Sequence, residues 1–248
     1  MSEAVKIVEN RKIPSGATLI FGFPDVGLVG IIAGSHIVDE LKLEEVAYVE
    51  SSLLPPLVVL HDGLPHSSIR VFGDGDLLVV LSEVPVPVEV IYPIMDALIE
   101  WGKAKNAKLM ISLGGIPIQD RQDAKELKAF AAASSSAALK IAEDKQIEIL
   151  TEGYMVGTQA ILLQRGANNG VPSITLLAQC FYNYPDPEAA AEVLKQLGKI
   201  TGIKTDIAKL LEKGEEIRLR ARDVMKRTQE EMSKMKKPQE MDIPIYVS

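Results

Sequence analysis

The sequence predicts a three-layer α/β domain, in which helices cover both faces of a mixed β-sheet. Short apolar runs rich in β-branched residues are separated by longer segments with helical periodicity. Several of these runs are apolar almost throughout, which is typical of strands covered on both faces. Hydrophobic residues make up 47% of the chain and aromatic residues only 5%, which indicates an aliphatic interior.

The elements follow from these patterns in chain order. Strands are predicted at Ala17–Phe23, Val46–Glu50, Leu57–Leu60, Ile69–Phe72, Leu77–Ser82, Lys108–Leu113, Glu148–Thr151 and Ser173–Leu177. Helices are predicted at Val26–Leu41, Val90–Ala104, Asp123–Asp144, Gly157–Asn168, Pro187–Thr201 and Lys204–Lys236. Consecutive strands between residues 46 and 82 predict an antiparallel section within the mixed sheet. Asp186 is predicted to cap the helix that Pro187 begins, and Gly202 to end it.

The last predicted helix is unusually long. Its apolar residues recur at alternating spacings of four and three from Ile203 to Val224, which is a heptad pattern. A helix over Lys204–Lys236 would be about 50 Å long, so its distal half is expected to project or to contact another subunit. In the alternative, its first half packs on the sheet as an ordinary amphipathic helix. The predicted division is a core domain (1–202), a long projecting helix (203–237) and an apolar tail (238–248).

Composition excludes several classes of protein. The net charge of −7 argues against a general affinity for nucleic acid or membranes, which requires a basic face. The single cysteine, Cys180, excludes an intramolecular disulfide and a cysteine-rich metal site. No apolar run approaches the ~18 residues of a membrane span, and the N-terminus lacks the pattern of a signal peptide. A cytoplasmic location is therefore expected.

Two glycine-rich segments follow predicted strands. The first, Phe21–Gly30, opens a helix at the kind of turn where phosphates bind in doubly wound sheets. Its glycine spacing matches neither a dinucleotide fingerprint nor a P-loop, so close packing or an interface is the main interpretation and an anion site the alternative. The second segment, Leu113–Pro117, is expected along the same sheet edge. The candidate residues for a ligand or interface turn are Pro24, Asp25, Gly27, Gly30, Gly114 and Gly115.

Reactive side chains do not form a recognisable catalytic set. His61 and His66 flank a predicted hairpin turn, and histidines in such turns without a carboxylate cluster are usually solvated. Cys180 has apolar neighbours, which indicates a buried thiol. The other residues considered are His36, Asp120–Asp123, Ser134–Ser136, Glu50 and Glu83. We therefore assign no catalytic residue, metal site or cofactor.

The last residues of the sequence are apolar after a charged helix. Ile243, Ile245, Tyr246 and Val247 on a flexible tether suit a docking peptide better than a solvated tail. A final strand that folds back on the body is the alternative. The candidate partner-binding residues are Ile245, Tyr246, Val247 and Ser248.

Five motifs in order resemble the proteasome-assembly-chaperone family, in its archaeal and bacterial branch related to proteasome assembly chaperone 2. They are Gly22–Gly30, Leu113–Pro117, Gly153–Leu163, Gly170–Pro172 and Pro185–Ala190 with Gly202–Ile203. The resemblance implies a nucleoside-phosphorylase-like fold, a homo-oligomer without known catalysis, and binding to the 20S proteasome. Archaeal members can dock through a C-terminal hydrophobic–Tyr–any motif between proteasome α-subunits. Ile245-Tyr246-Val247 resembles this motif, and Ser248 follows it.

Two functional hypotheses follow. The first is a non-enzymatic assembly factor or adaptor that self-associates and binds partners through its tail. The second is a nucleoside-phosphorylase-like enzyme, or a small-ligand-binding protein that uses the glycine turns. Such an enzyme needs a phosphate site with arginine or hydroxyl contacts, for which Arg70 and Arg121 are the arginines considered.

Overall fold

The computed structural model describes residues 4–235, so the predicted tail-docking residues Ile245–Ser248 lie outside the described residues. The strands are β1 (Val5–Glu9), β2 (Thr18–Gly22), β3 (Glu44–Ser51), β4 (Val59–His61), β5 (Leu64–His66), β6 (Ile69–Asp74), β7 (Leu77–Ser82), β8 (Leu109–Pro117), β9 (Ala129–Ala133), β10 (Glu148–Ile149) and β11 (Ser173–Cys180). The α-helices are α1 (Val29–Leu41), α2 (Ile91–Ala104), α3 (Ser136–Asp144), α4 (Thr158–Asn169), α5 (Pro187–Thr201), α6 (Ile207–Glu212), α7 (Gly214–Arg220) and α8 (Arg222–Lys234). Short 3₁₀ helices at Val26–Leu28 and Val88–Val90 precede α1 and α2.

One mixed sheet organises the described chain. Its strand order is β1-β3-β6-β7-β2-β8-β11-β9-β10, and β4 and β5 form a separate hairpin. Four central strands, β7, β2, β8 and β11, run parallel to one another. The section β1-β3-β6-β7 is antiparallel, as predicted for residues 46–82.

Helices cover both faces of the sheet because side chains alternate along its strands. On β2, Ile20 belongs to the core shared with α1, α3, α5 and the C-terminal helices. Its neighbours Leu19 and Phe21 belong to the core shared with α2 and α4. All three side chains are fully buried. The predicted three-layer αβα fold with a mixed sheet is confirmed.

Individual elements differ from the prediction where local patterns are weak. The helix predicted over Asp123–Asp144 is present only as α3, because Ala129–Ala133 forms strand β9 between β11 and β10. The Ser135 hydroxyl accepts a hydrogen bond of 3.2 Å from the Ala138 N–H and thereby starts α3. Strands β1 and β5 were not predicted.

The C-terminal helical segment is present, but it is divided and it packs on the body. At Lys213 and Ala221 ψ rises to 4° and −1°, which separates α6, α7 and α8. The heptad residues contribute to the α1–α5 core, and Met225, Thr228 and Met232 of α8 are buried. The distal half of the segment was expected to project, but it packs on the body. The reason is that α6, α7 and α8 all turn apolar side chains towards the core. The division at residue 202 into separate parts stays a prediction.

Across residues 4–235, no helix combines the length and the apolar character needed to cross a bilayer.

Candidate functional site

The turn between β2 and α1 is a buried structural junction. Gly27 and Leu28 adopt positive φ values of 64° and 52°, so the backbone makes a left-handed turn before α1. The buried Asp25 carboxylate accepts a hydrogen bond of 2.7 Å from the side chain of Gln159, in the first turn of α4. This contact joins the turn before α1 to helix α4. It also places a carboxylate where a bound phosphate would meet charge of the same sign.

The second glycine segment lies directly against this turn. A Cβ atom on Gly115 would lie 2.3 Å from Cys180 Sγ, and one on Gly114 would lie 2.5 Å from Gln159 Nε2. The predicted residues Pro24, Asp25, Gly27, Gly30, Gly114 and Gly115 are thus brought together at one edge of the sheet. The cavity beside Pro24 and Asp25 holds only about 20 Å³, whereas ligand pockets usually hold about 300–1,000 Å³. This geometry favours close packing, and a ligand or interface role for the turn stays a prediction.

The small-residue face of α1 contacts this chain itself. Cβ atoms on Gly27, Gly30 and Gly34 would meet Cys180, Leu113 and Leu81, respectively. Their absence lets α1 approach β8 and β7 closely. These three glycines are therefore buried by contacts within the chain itself.

Substituting Gly30 should destabilise the fold strongly. An alanine Cβ would lie 2.4 Å from the Leu113 carbonyl oxygen and 2.9 Å from the Phe23 carbonyl oxygen, both of which are backbone atoms. We expect Gly30→Ala to lower the free energy of unfolding by about 3 kcal/mol in chemical denaturation. Gly214→Ala is the matched control, because the nearest atom to its Cβ would be 3.7 Å away. Equal stability of the two variants would contradict the proposed tight contact.

Buried charges join the Asp120–Asp123 loop to the start of α5. Arg121 Nε and Nη2 donate hydrogen bonds of 2.7 and 2.8 Å to the Asp186 carboxylate. The same carboxylate accepts hydrogen bonds from the N–H groups of Phe181 and Ala189, so Asp186 caps α5 as predicted. Nothing in the sequence around Asp186 indicates that Arg121 is its partner. The side chain of Asp186 is completely buried and that of Arg121 is 9% exposed.

A second pair extends this cluster to the C-terminal helices. Arg218 of α7 donates hydrogen bonds of 2.6 and 2.7 Å to Glu188 of α5. Burial alone would raise the pKa of Glu188, but the hydrogen bonds and charge of Arg218 outweigh it and lower that pKa. Burial raises the pKa of Asp186, against the opposing effect of Arg121. Both acids have structural partners, so the cluster holds the fold together and offers no spare acid or base.

The histidines of the β4–β5 hairpin bind carboxylates on the sheet. His61 Nε2 lies 2.8 Å from Glu83 Oε2, and His66 Nδ1 lies 3.3 Å from Glu45 Oε2. Arg70 lies between the two glutamates and forms an ion pair with each. Within residues 4–235, no group of three or more histidine, cysteine or acidic residues is arranged to hold a metal ion. These contacts anchor the hairpin to the sheet.

The remaining candidate reactive residues lie on different elements of the fold. His36 Nε2 lies 3.0 Å from the Asp206 carbonyl oxygen. Cys180 is buried at the end of β11. Ser134 Oγ accepts a hydrogen bond from the Ser173 N–H, and Glu50 is exposed on β3. The fold does not bring these residues together. Arg70 and Arg121, the arginines considered for a phosphate site, are both paired with carboxylates.

An exposed apolar segment, which we call the arm, comprises residues 53–66 and includes the hairpin of β4 and β5. Val58, Leu60 and Leu64 are 61%, 66% and 63% exposed. Leu53 and Leu57 are also exposed. Several exposed apolar side chains within one short segment are typical of an interaction surface, whereas isolated exposed leucines are common. Sequence reasoning located the hairpin turn but gave no signal that its apolar side chains face solvent.

A groove lies between α1 and the C-terminal helices and has a volume of about 630 Å³. Ile31 and Ile32 of α1 and Ile217, Ala221 and Val224 of the C-terminal segment line its apolar part. The charged residues at the groove are Asp39, Glu40, Glu83, Lys209, Lys213, Glu216 and Arg220. A lining that combines apolar and charged side chains suits a short amphipathic peptide.

The fold is that of a three-layer α/β protein, and its described residues include an exposed apolar arm and a groove but bring together no catalytic set. The chain belongs to the PAC2 family, whose sequence model matches residues 19–225. It is also similar to the uncharacterized protein MJ0106 of Methanocaldococcus jannaschii, with 29% identity over 250 residues and 100% of both chains covered.

Solved structures agree with this assignment. The chain is similar to Pyrococcus furiosus PbaA, described as an archaeal homolog of proteasome-assembly chaperone, with 29% identity and a TM-score of 0.84. That match covers 91% of this chain and 98% of PbaA. P. furiosus PbaB, described as an archaeal proteasome activator, is 23% identical with a TM-score of 0.75, covering 90% of this chain and 99% of PbaB. The PbaB likeness shows the fold alone. The predicted resemblance to the proteasome-assembly-chaperone family is confirmed.

Proposed function

We propose that this protein is a non-enzymatic proteasome-assembly-chaperone-like adaptor that self-associates and binds 20S proteasome α-subunits through its tail. Membership of the PAC2 family and the likeness to PbaA along 91% of the chain support this role. In this proposed role the protein needs no cofactor and acts in the cytoplasm.

The arm is the observation that carries the proposal. It presents Val58, Leu60 and Leu64 to solvent on a hairpin whose two histidines contact Glu45 and Glu83 of the body. A fixed, exposed apolar hairpin favours protein binding, because covering its side chains removes apolar area from water without first ordering the segment. We assign the arm to self-association, which leaves the tail available for a different partner.

The enzymatic alternative receives no comparable support. A phosphate-binding arginine must have donors available for the substrate. Arg121 donates two hydrogen bonds to the buried Asp186 carboxylate, and Arg70 forms ion pairs with Glu45 and Glu83. The glycine turn that was the other candidate for phosphate contains the Asp25 carboxylate and has almost no free volume.

A binding assay with a purified archaeal 20S core particle tests the proposal. Tyr246 is expected to be the anchor of the tail, since one aromatic side chain in a pocket can contribute ~2 kcal/mol or more. Tyr246→Ala should therefore weaken binding at least ~tenfold, as measured by surface plasmon resonance with the full chain.

The matched control is Tyr154→Ala, which removes a tyrosine that is 80% exposed in the described body. Its affinity for the core particle should equal that of the unmodified chain. Oligomer size and melting temperature should be the same for all three proteins. Equal binding by the Tyr246→Ala and unmodified chains would remove the tail from the proposed function, and no binding by any of them would refute the proteasome as partner.

A further inference from the structure

We infer that the groove between α1 and the C-terminal helices binds the tail of the same chain, residues 241–247, when no partner is present. This inference concerns the tail used in the proposed function, but its argument and test need no proteasome. The first support is chemical. The groove has Ile31, Ile32, Ile217, Ala221 and Val224 along its apolar part, and the tail offers the apolar sequence Ile243–Val247.

The size of the groove decides what kind of occupant fits. A volume of about 630 Å³ lies within the range of about 300–1,000 Å³ that accommodates drug-sized ligands. Three or four side chains of an extended peptide fit such a space. The apolar part of the tail is of the required length.

The reach of the tail is sufficient. The described chain ends at Met235, and Val224 at the groove is eleven residues earlier (235 − 224) along α8. At helical rise the two are about 16 Å apart. Ile243 follows Met235 by eight residues (243 − 235), and an extended chain of that length spans about 26 Å. Ile243 and the residues after it can therefore return to the groove of their own chain.

The short tether makes intramolecular binding effective even if the contact is weak. A short flexible linker gives an effective concentration on the order of 1 mM. A tail segment that binds with a Kd of about 0.1 mM as a free peptide would then occupy its groove in roughly nine chains of ten. A partner that needs Tyr246 would have to displace it, so the groove would regulate access to the tail.

Fluorescence anisotropy with a labelled peptide of residues 241–248 tests this inference. The peptide is titrated with the unmodified full chain and with a full-length chain carrying Ile243→Ser, Ile245→Ser and Tyr246→Ser. We expect the substituted chain to bind the peptide about tenfold more tightly, because its own tail no longer competes. Equal affinity for the two chains, or no binding to either, would overturn the inference.

Groove variants in the tail-substituted chain locate the contact. Ala221→Arg should abolish peptide binding, because the new side chain fills the apolar part of the groove. Leu219→Arg is the matched control on α7, since Leu219 is 62% exposed and does not line the groove. Ser35→Arg on the opposite wall gives a second test if Ala221→Arg lowers the melting temperature. Peptide binding that survives both groove substitutions would overturn the assignment.

The tail in a groove could belong to the same chain or to a second copy, and dilution distinguishes the two. Fluorescent labels on the groove and on the tail of one chain, mixed with an excess of unlabelled chain, report whether the two are in contact. If the tail binds its own groove, energy transfer between the labels should be the same at about 1 µM and about 100 µM total chain. Energy transfer that is lost on dilution, or on mixing with unlabelled chain, would show that neighbouring copies exchange tails and would refute the intramolecular form. Because the assay contains no proteasome, its outcome is independent of that of the core-particle assay.

Discussion

Asp186→Ala is expected to lower the free energy of unfolding by about 3–5 kcal/mol, because it leaves the buried Arg121 guanidinium without its counter-ion. The substitution removes two hydrogen bonds from Arg121 and those from the N–H groups of Phe181 and Ala189. It also removes the N-cap of α5, the helix that packs against α1. Chemical denaturation followed by circular dichroism measures the effect.

Asp206→Ala is the control for the loss of a cap alone. Asp206 caps α6 by accepting a hydrogen bond of 3.2 Å from the Lys209 N–H, and it is exposed. Its substitution should cost only about 1 kcal/mol. The difference between the two variants measures what the buried pair adds to an ordinary cap. If Asp186→Ala and Asp206→Ala destabilise the protein equally, the buried pair does not hold the fold as we propose.

Two charges in the arm are expected to convert the proposed oligomer into monomers. Leu60 and Leu64 are exposed in the subunit, so replacing both with glutamate should leave the melting temperature almost unchanged. In an interface, each leucine would contribute about 1.5–3 kcal/mol by burial. The double variant should therefore self-associate at least ~100-fold more weakly, and light scattering at micromolar concentration should report the monomer mass.

Leu219→Glu is the control, because Leu219 is 62% exposed and lies outside the arm. That variant should keep the size of the unmodified protein. A monomeric unmodified chain at micromolar concentration would count against self-association itself. An unchanged oligomer in the double variant would show that the arm is not the interface.

The layers of the fold are predictable from local patterns, but one strand is not. Residues 129–133 are alanine and phenylalanine, and alanine alone favours a helix. They form β9 because β11 and β10 hydrogen-bond to them on either side. Partners from distant parts of the sequence therefore override local propensity. By contrast, β7 and α5 have the predicted bounds, since their apolar patterns and caps are local.

In the candidate sites, too, features set by neighbouring residues were predicted, whereas contacts between residues far apart in the sequence were not. Asp186 was predicted as a cap from the prolines on either side of it, whereas its ion pair with Arg121 joins residues 65 positions apart. The heptad pattern located the apolar face of the C-terminal segment, but that pattern does not distinguish packing on the subunit's own body from packing on a partner. The arm was missed as an exposed surface because Val58 and Leu60 have the same pattern as a core strand.

The strand order also has a consequence for synthesis of the protein. In the sheet, β8 lies between β2 and β11. Its edge opposite β2 therefore stays unpaired until β11, which ends at Cys180, has been synthesised. The ribosome must add 63 residues (180 − 117) after β8 ends, which takes roughly 3–13 s at typical elongation rates. During that time the nascent chain carries an apolar strand with one unpaired edge. Early protection by cellular chaperones should therefore matter more for this protein than for one whose neighbouring strands are consecutive in sequence.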